Sequence, residues 1–459
     1  MKKPNILQTV IATAACKCTR MILRKTGRGG TAIPGIAAMK LCPGILRAVT
    51  DGMRIVAVTG TNGKTTTCNM IEHALSAAGK DVMLNRSGAN LLHGMASDLI
   101  CNATWLGKPK SQYAVLECDE AILKQLALYF EPEAVVVTNL FSDQVDRYGG
   151  VMNTLAQIRA GVERCPDSVL VLNADEPLTA SLALNVPNQT IWYGLEKTVG
   201  TQGKIDLSDA DVCPKCQGTY TYDYHTYAHL GGYRCVNCGY ARPAADVGVT
   251  SIDHIGTDGS VIHLRVGKKT QEVNVSLPAV YNIYNAAAAV GAAIAMKVSP
   301  QKAMDSLASL RSSFGRLETF TLGGNRLQMI LVKNPAGCNQ AFSYVTGFSE
   351  DYTAVLCLNN RTGDGHDFSW INDTDYEKLC QDPHLKKIYV GGDRADDLMQ
   401  RLLQAGASEE IMEKVTDYRV LVNRLKEEDR PAFLLPNYTS MMELRAVLSQ
   451  ETGTKDFWE

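Results

Sequence analysis

The stretch Ile55–Asn69, IVAVTGTNGKTTTCN, joins a strand to a helix through a loop built to hold phosphate. Val56, Ala57 and Val58 read as a strand buried on both faces, Gly60 and Gly63 open a turn, and Thr65 to Leu75 carry helical spacing. A helix that starts this way points backbone N–H groups outward from its N-terminus, where its dipole favours an anion. Lys64 adds a point charge, and the Thr65 hydroxyl suits the Mg²⁺ that travels with a nucleotide. The spacing differs from the common phosphate loop, because Val58 stands five residues before Gly63, where that motif carries glycine.

With 459 residues, 45% hydrophobic and 20% charged, the chain can bury a large core and should divide into two or three domains. A net charge of −2 gives no global field that would draw nucleic acid. The distribution is uneven: no acidic residue precedes Asp51, whereas Lys2, Lys3, Lys17, Arg20, Arg24, Lys25, Arg28, Lys40 and Arg47 are all basic. Residues 6–16 are moderately apolar behind two lysines, as in a secretory signal. Gln8, Thr9 and Thr13 interrupt that run, however, Lys17 and Arg20 follow at once, and the phosphate loop calls for cytosolic ATP, so the leader is expected to stay in a cytoplasmic protein. Two readings of it stand: a cationic amphipathic segment that meets the inner face of the membrane or a pyrophosphate-bearing lipid, or a solvated basic helix.

Ten of the fourteen cysteines are scattered, as expected of reduced thiols. The other four form Cys213-x-x-Cys216 and Cys235-x-x-Cys238, eighteen residues apart. Each pair has the knuckle spacing with which two thiolates grip one tetrahedral zinc, and the separation falls in the zinc-ribbon range. Four sulfurs would fill the coordination shell and leave no position for water or substrate, so the metal is expected to be structural.

Between loop and ribbon the sequence alternates strand and helix. Ala114–Glu117, Ala134–Asn139 and Val169–Asn173 read as strands of an open parallel sheet, whose carboxyl ends face the ligand crevice. Glu117, Asn139 and Asp175 lie at those ends, and Glu117 is the candidate Mg²⁺ ligand or water-orienting acid. After residue 316 a second α/β rhythm begins, with strand-like LQMILV, AVLCLN, KIYVGG and AFLLP between helical stretches.

GTNGKTT resembles the nucleotide loop of the Mur ligase family, whose members activate a carboxylate as an acyl phosphate and couple it to an amine. The resemblance implies that Gly60, Thr61, Asn62, Gly63, Lys64, Thr65 and Thr66 bind ATP, with Lys64 and Glu117 catalytic and Thr65 and Glu117 holding Mg²⁺. Further matches follow in family order. Thr138-Asn139 with Asp143, Gln144 and Asp146 is similar to the TN…DH motif, Gln144 replacing histidine, and Asn173–Pro177 is similar to NADDP. Tyr281–Ala286 is similar to YNxxN, which implies Asn282 and Asn285 near the adenine. Gly315-Arg316-Leu317-Glu318 is similar to GR-x-E, which implies Arg316 on the terminal phosphate. Ile330 stands where the family carries an acid for the ribose, ahead of Lys333–Gly337.

The ribbon, the short basic N-terminus and Asp364–Ile371, DGHDFSWI, are similar to one branch of that family, which amidates lipid II together with a GatD-like glutamine amidotransferase. The branch carries DGxDxSW, whose second aspartate completes the partner's Cys–His–Asp glutaminase triad; here that is Asp367. The resemblance implies an α/β protein of the Mur-ligase type. It would have a basic segment at 1–50, a central P-loop ATPase domain at 51–312 with the four-cysteine zinc ribbon inserted at about 205–245, and a Rossmann-like C-terminal domain at 313–459. It also implies ATP, Mg²⁺ and structural Zn²⁺ as cofactors and a place in peptidoglycan biosynthesis. No segment resembles a glutaminase nucleophile elbow, so ammonia is expected from another polypeptide. A stand-alone amino-acid ligase of the folylpolyglutamate kind and a nucleic-acid-binding ribbon on a degenerate ATPase are the competing readings.

Overall fold

The computed structural model describes residues 3–25, 32–85, 90–142, 150–199, 209–310 and 316–454. Asp143, Gln144, Asp146 and Gly315 lie outside these residues, as does the side chain of Arg316. The chain divides into two units: Met1–Leu140, Val151–Ser276 and Tyr281–Leu310 form one, and Phe141–Gly150, Leu277–Val280 and Arg311–Glu459 the other.

The first unit is built on β1 (Arg54–Thr59), β2 (Val82–Leu84), β3 (Tyr113–Glu117), β4 (Ala134–Val137), β5 (Val169–Asn173), β6 (Thr190–Leu195), β9 (Val247–Ile255), β10 (Ser260–Val266) and β11 (Lys269–Val275). They form one sheet in the order β11-β10-β9-β6-β5-β4-β1-β3-β2. Pairing is parallel from β2 to β9 and antiparallel across β9-β10-β11. Ile55 to Val58 are almost fully buried, as expected of a strand covered on both faces. The register sets Val58 opposite Glu117 on one side and Val136 on the other, so the residues that follow β1, β3 and β4 gather at one carboxyl edge.

The helix Val280–Ala295 is alanine-rich and buried nearly throughout. Small side chains let it approach the sheet closely, and a Cβ at Gly291 would fall 2.9 Å from Val171 Cγ1. The hairpin β7 (Tyr220–Tyr227) and β8 (Leu230–Cys235) forms a two-stranded sheet of its own, with Cys213 and Cys216 just before it, Cys235 at its last position and Cys238 just after it. The helix Ile6–Lys25 is long and apolar enough, by length and composition, to cross a membrane. It is not solvated all round, because Thr9, Ala12, Thr13 and Cys16 are buried on one side.

The second unit holds β12 (Arg316–Leu322), β13 (Asn325–Ile330), β14 (Tyr352–Cys357), β15 (Leu385–Gly391), β16 (Met412–Lys414) and β17 (Ala432–Pro436), in the order β12-β13-β17-β14-β15-β16. All pairs are parallel except β12-β13, the doubly wound arrangement expected of alternating strands and helices. Lys333–Gly337 starts a helix. Asn334 accepts the Gly337 N–H at 2.8 Å and Pro335 occupies the first helical position, which is where a missing N–H costs nothing.

Candidate active site

The helix Lys64–Ala77 follows β1 after only four residues, and Gly63 stands at its N-cap with φ 84° and no side-chain cap. Only glycine fits there: besides the positive φ, a Cβ would meet Asn285 Oδ1 at 2.3 Å. Gly60, φ 120°, is pressed in the same way against Thr138, whose Oγ1 lies 2.4 Å from where a Cβ would be. The loop is held from the neighbouring strand end. Thr61 N–H donates to the Asn139 carbonyl at 2.8 Å, Asn62 N–H to Asn139 Oδ1 at 2.9 Å, and Thr138 Oγ1 to the Asn62 carbonyl at 2.7 Å. Asn139, suspected from its strand-end position of facing ligand, thus holds the phosphate loop in shape.

Thr65 and Glu117 are brought together: the threonine hydroxyl donates to Glu117 Oε2 at 2.8 Å. Glu117 is itself fixed at its backbone, its N–H donating to Asn85 Oδ1 at 2.9 Å and its carbonyl accepting from Asn85 Nδ2 at 3.2 Å. Lys64 is buried, and its Nζ reaches the Gly60 carbonyl and Glu120 Oε1, the latter at 2.7 Å. Glu120 went unremarked in the sequence; its signal was the acid triplet in VLECDE, which puts carboxylates just beyond β3. Asn282 and Asn285 are linked by a 3.2 Å hydrogen bond, and Asn285 Oδ1 accepts from Thr67 Oγ1 at 3.2 Å. The structure therefore gathers Gly60, Thr61, Asn62, Gly63, Lys64, Thr65, Glu117 and Asn285 at one edge, with Thr66 buried behind them. An oxygen pair, an ammonium and an uncapped helix start suit a nucleotide's phosphates and their metal.

The strand-end reading of Asp175 is corrected. It is fully buried and accepts from Arg242 Nε at 2.7 Å, Leu195 N–H at 2.7 Å and Tyr284 OH at 2.6 Å. Burial pushes its carboxyl up, against the pull of the Arg242 guanidinium. Its neighbour Glu176 caps the helix Pro177–Ser181 and meets His229 Nε2 at 3.2 Å. Tyr240 OH donates to the Pro177 carbonyl at 2.9 Å. The segment Asn173–Pro177 is thus the seam that fastens the cysteine hairpin to the sheet.

At the end of that hairpin, where the chain enters β7 and leaves β8, the sulfurs of Cys213, Cys216, Cys235 and Cys238 all lie within 4.8 Å of one another. Cys213 and Cys238 Sγ are 3.7 Å apart and Cys216 and Cys235 Sγ 3.4 Å apart, against the ~3.8 Å edge of a tetrahedral ZnS₄ centre. Backbone N–H groups of Cys238 and Asn237 draw the Cys235 thiol down, while its hydrogen-bonded partner Cys216 is pushed up, so the pair holds one proton more tightly than the other. The donor set fits a structural zinc.

In the second unit Asp367 is exposed, its Oδ1 accepting the Ser369 N–H at 2.9 Å. Hydrogen bonds from the Ser369 side chain and backbone hold its carboxyl below the usual carboxylate value, so it stays an acceptor. Phe368 and Trp370 are half-buried, and the Arg394 guanidinium lies 4.6 Å from the Phe368 ring centre. Asp364 does more than turn the loop. Its carboxylate accepts from Thr439 N–H at 2.8 Å and Thr439 Oγ1 at 2.5 Å, capping the helix Tyr438–Thr452 in place of Asn437, whose side chain is turned to Asn359.

The Mur ligase middle domain matches residues 58–228, and the MurT ligase C-terminal domain matches residues 331–441. The chain is 32% identical over 444 residues to the MurT subunit of the glutamine-hydrolyzing lipid II isoglutaminyl synthase of Streptococcus pneumoniae, covering 96% of this chain and 97% of that one. It is 30% identical to the corresponding Staphylococcus aureus subunit, covering 95% and 96%. Among solved structures, a pseudomurein peptide ligase type C from Methanothermus fervidus superposes with a TM-score of 0.66 at 19% identity, over 87% of this chain and 79% of that one. MurF from Thermotoga maritima in complex with ADP superposes with a TM-score of 0.63 at 14% identity, over 92% and 84%. These two establish likeness of fold.

Proposed function

The chain belongs to the MurT family of Mur-type ligases, and on that premise we propose that it amidates the α-carboxylate of D-glutamate in the lipid II stem peptide, giving D-isoglutamine. The observation that carries the reading is the pairing of Thr65 with Glu117 beside Lys64 at an uncapped helix start. In the reaction the ATP γ-phosphoryl group passes to a carboxylate oxygen, leaving ADP and an acyl phosphate. Ammonia then attacks the acyl carbon, phosphate leaves, and the nitrogen sheds a proton. Lys64, released from Glu120 by the incoming phosphates, neutralises charge on the transferred group, with Arg316 assigned the terminal phosphate. Thr65 and Glu117 would hold Mg²⁺, which when bound supplies further charge neutralisation. Asn282 and Asn285 are assigned to the nucleotide, and Cys213, Cys216, Cys235 and Cys238 to a structural Zn²⁺.

Ammonia comes from a GatD-like glutamine amidotransferase whose histidine is oriented by Asp367. A carboxylate there fixes the imidazole tautomer and stabilises the cation formed when the partner's thiol loses its proton. The chain works in the cytosol, at the inner face of the membrane that holds its lipid-linked substrate. Kinetics of Asp367→Ala in the complex test the reading: glutamine-driven amidation should vanish while amidation at high ammonium persists. Glutamine use at the normal rate would remove Asp367 from the triad.

A further inference from the structure

The helix Ile6–Lys25 is packed inside out. It buries Thr9, Ala12, Thr13 and Cys16, and its Arg20 is spent on Asp98 at 2.8 Å. Its large apolar side chains face water instead: Ile6 is 68% exposed, Leu7 66%, Ile11 50%, Met21 54% and Ile22 62%. At the α-helical repeat these five fall on one side, within an arc of roughly 160°. The turn that carries Trp105 and Leu106, each 56% exposed, lies against the helix edge. A Cβ at Gly107 would stand 2.1 Å from Thr9 Cγ2, and Lys17 Nζ lies 4.8 Å from the Trp105 ring centre.

We propose that this face, the outer side of Ile6–Lys25 with the Trp105–Leu106 turn, docks flat on a bilayer that carries anionic headgroups. Charge decides for that occupant. The segment before Asp51 contains no acidic residue, Arg24 and Lys25 occupy the last turn of the helix, and Lys108 and Lys110 follow the tryptophan. A wide apolar face bordered by cations, with an amphipathic ring at its edge, matches the boundary between acyl chains and anionic headgroups. Spanning is excluded by the other side of the same helix, where two threonines and the Arg20–Asp98 pair are packed in protein rather than offered to lipid.

The surface does not depend on the ligase reading, and vesicles without lipid II test it alone. The full chain is sedimented with vesicles of phosphatidylcholine, and with vesicles in which a third of the lipid is phosphatidylglycerol. It should pellet with the mixed vesicles, less as salt is raised, and Trp105 emission should shift to the blue, a shift absent in Trp105→Phe. The triple variant Leu7→Gln, Ile11→Gln, Ile22→Gln changes only exposed positions and should lose about ten-fold or more of its partitioning. Arg24→Gln with Lys25→Gln should lose about five-fold per charge on the mixed vesicles alone. Equal pelleting of the triple variant would overturn the proposal, as would failure of the parent chain to bind mixed vesicles. So would sedimentation velocity showing that the triple variant dissolves a dimer, which would make the face a protein interface.

Discussion

Asp175→Asn separates a structural from a ligand-facing role for the strand-end acid. The side chain is fully buried, and the Arg242 side chain that it meets is only 11% exposed. The substitution keeps the shape but removes the nearer counter-charge of a guanidinium whose other acid, Glu196, stands at 4.0 Å, and turns an amide toward the Leu195 N–H and Tyr284 OH donors. Breaking a buried pair by removing one partner costs about 3–5 kcal/mol. For a unit of this size that is roughly 5–8 °C in midpoint. A buried pair recovers little more than the cost of taking both charges out of water, so its removal as a whole should be cheaper than its breakage. Asp175→Asn combined with Arg242→Met should therefore lie closer to the parent than the sum of the singles, with a coupling of about 1 kcal/mol or more. Calorimetry on zinc-saturated protein measures all four forms. A midpoint within about 2 °C of the parent for Asp175→Asn, together with lost nucleotide turnover, would refute the seam and return Asp175 to the ligand crevice.

Glu117→Gln removes the charge beside Thr65 while leaving the Asn85 backbone clasp in place. Turnover should fall on the order of a hundred-fold with the melting midpoint unchanged, as read by ADP release and thermal unfolding. Asp364→Ala removes the cap on Thr439 and should cost about 0.5–2 kcal/mol. By loosening the loop that carries Asp367, it should also lower glutamine-driven amidation more than ammonium-driven amidation. Strong chelation, or Cys235→Ser, should release one equivalent of zinc and melt the hairpin β7–β8, which as a two-stranded unit is marginal alone. Metal analysis with amide exchange across 213–242 follows it.

The phosphate loop and the cysteine knuckles were legible in the sequence because their chemistry is local: a few residues fix a turn, a helix start or a two-sulfur grip. The partners of those residues were not, since they come from distant strands. Nothing near Asn62 announces that Asn139 will clasp it, and nothing near Lys64 singles out Glu120 among the acids after β3. Strand-end position alone made Asp175 look like Asn139 and Glu117, and only the return of the chain at Arg242 and Tyr284 seals it from solvent. The N-terminal helix shows another limit. Periodicity reveals which side of a helix is apolar, but Ile6–Lys25 presents that side outward and buries its threonines, an inversion visible only once its neighbours are in place.

The most direct measurement of the central claim is the mass of lipid II after incubation with this chain, ATP and ammonium, and separately with glutamine and a GatD-like partner. The product should be lighter by the difference between a hydroxyl and an amino group at the D-glutamate α-carboxyl, with one ADP formed for each amide. Unchanged lipid II in both incubations, with the loop shown by calorimetry to take up no nucleotide, would contradict it.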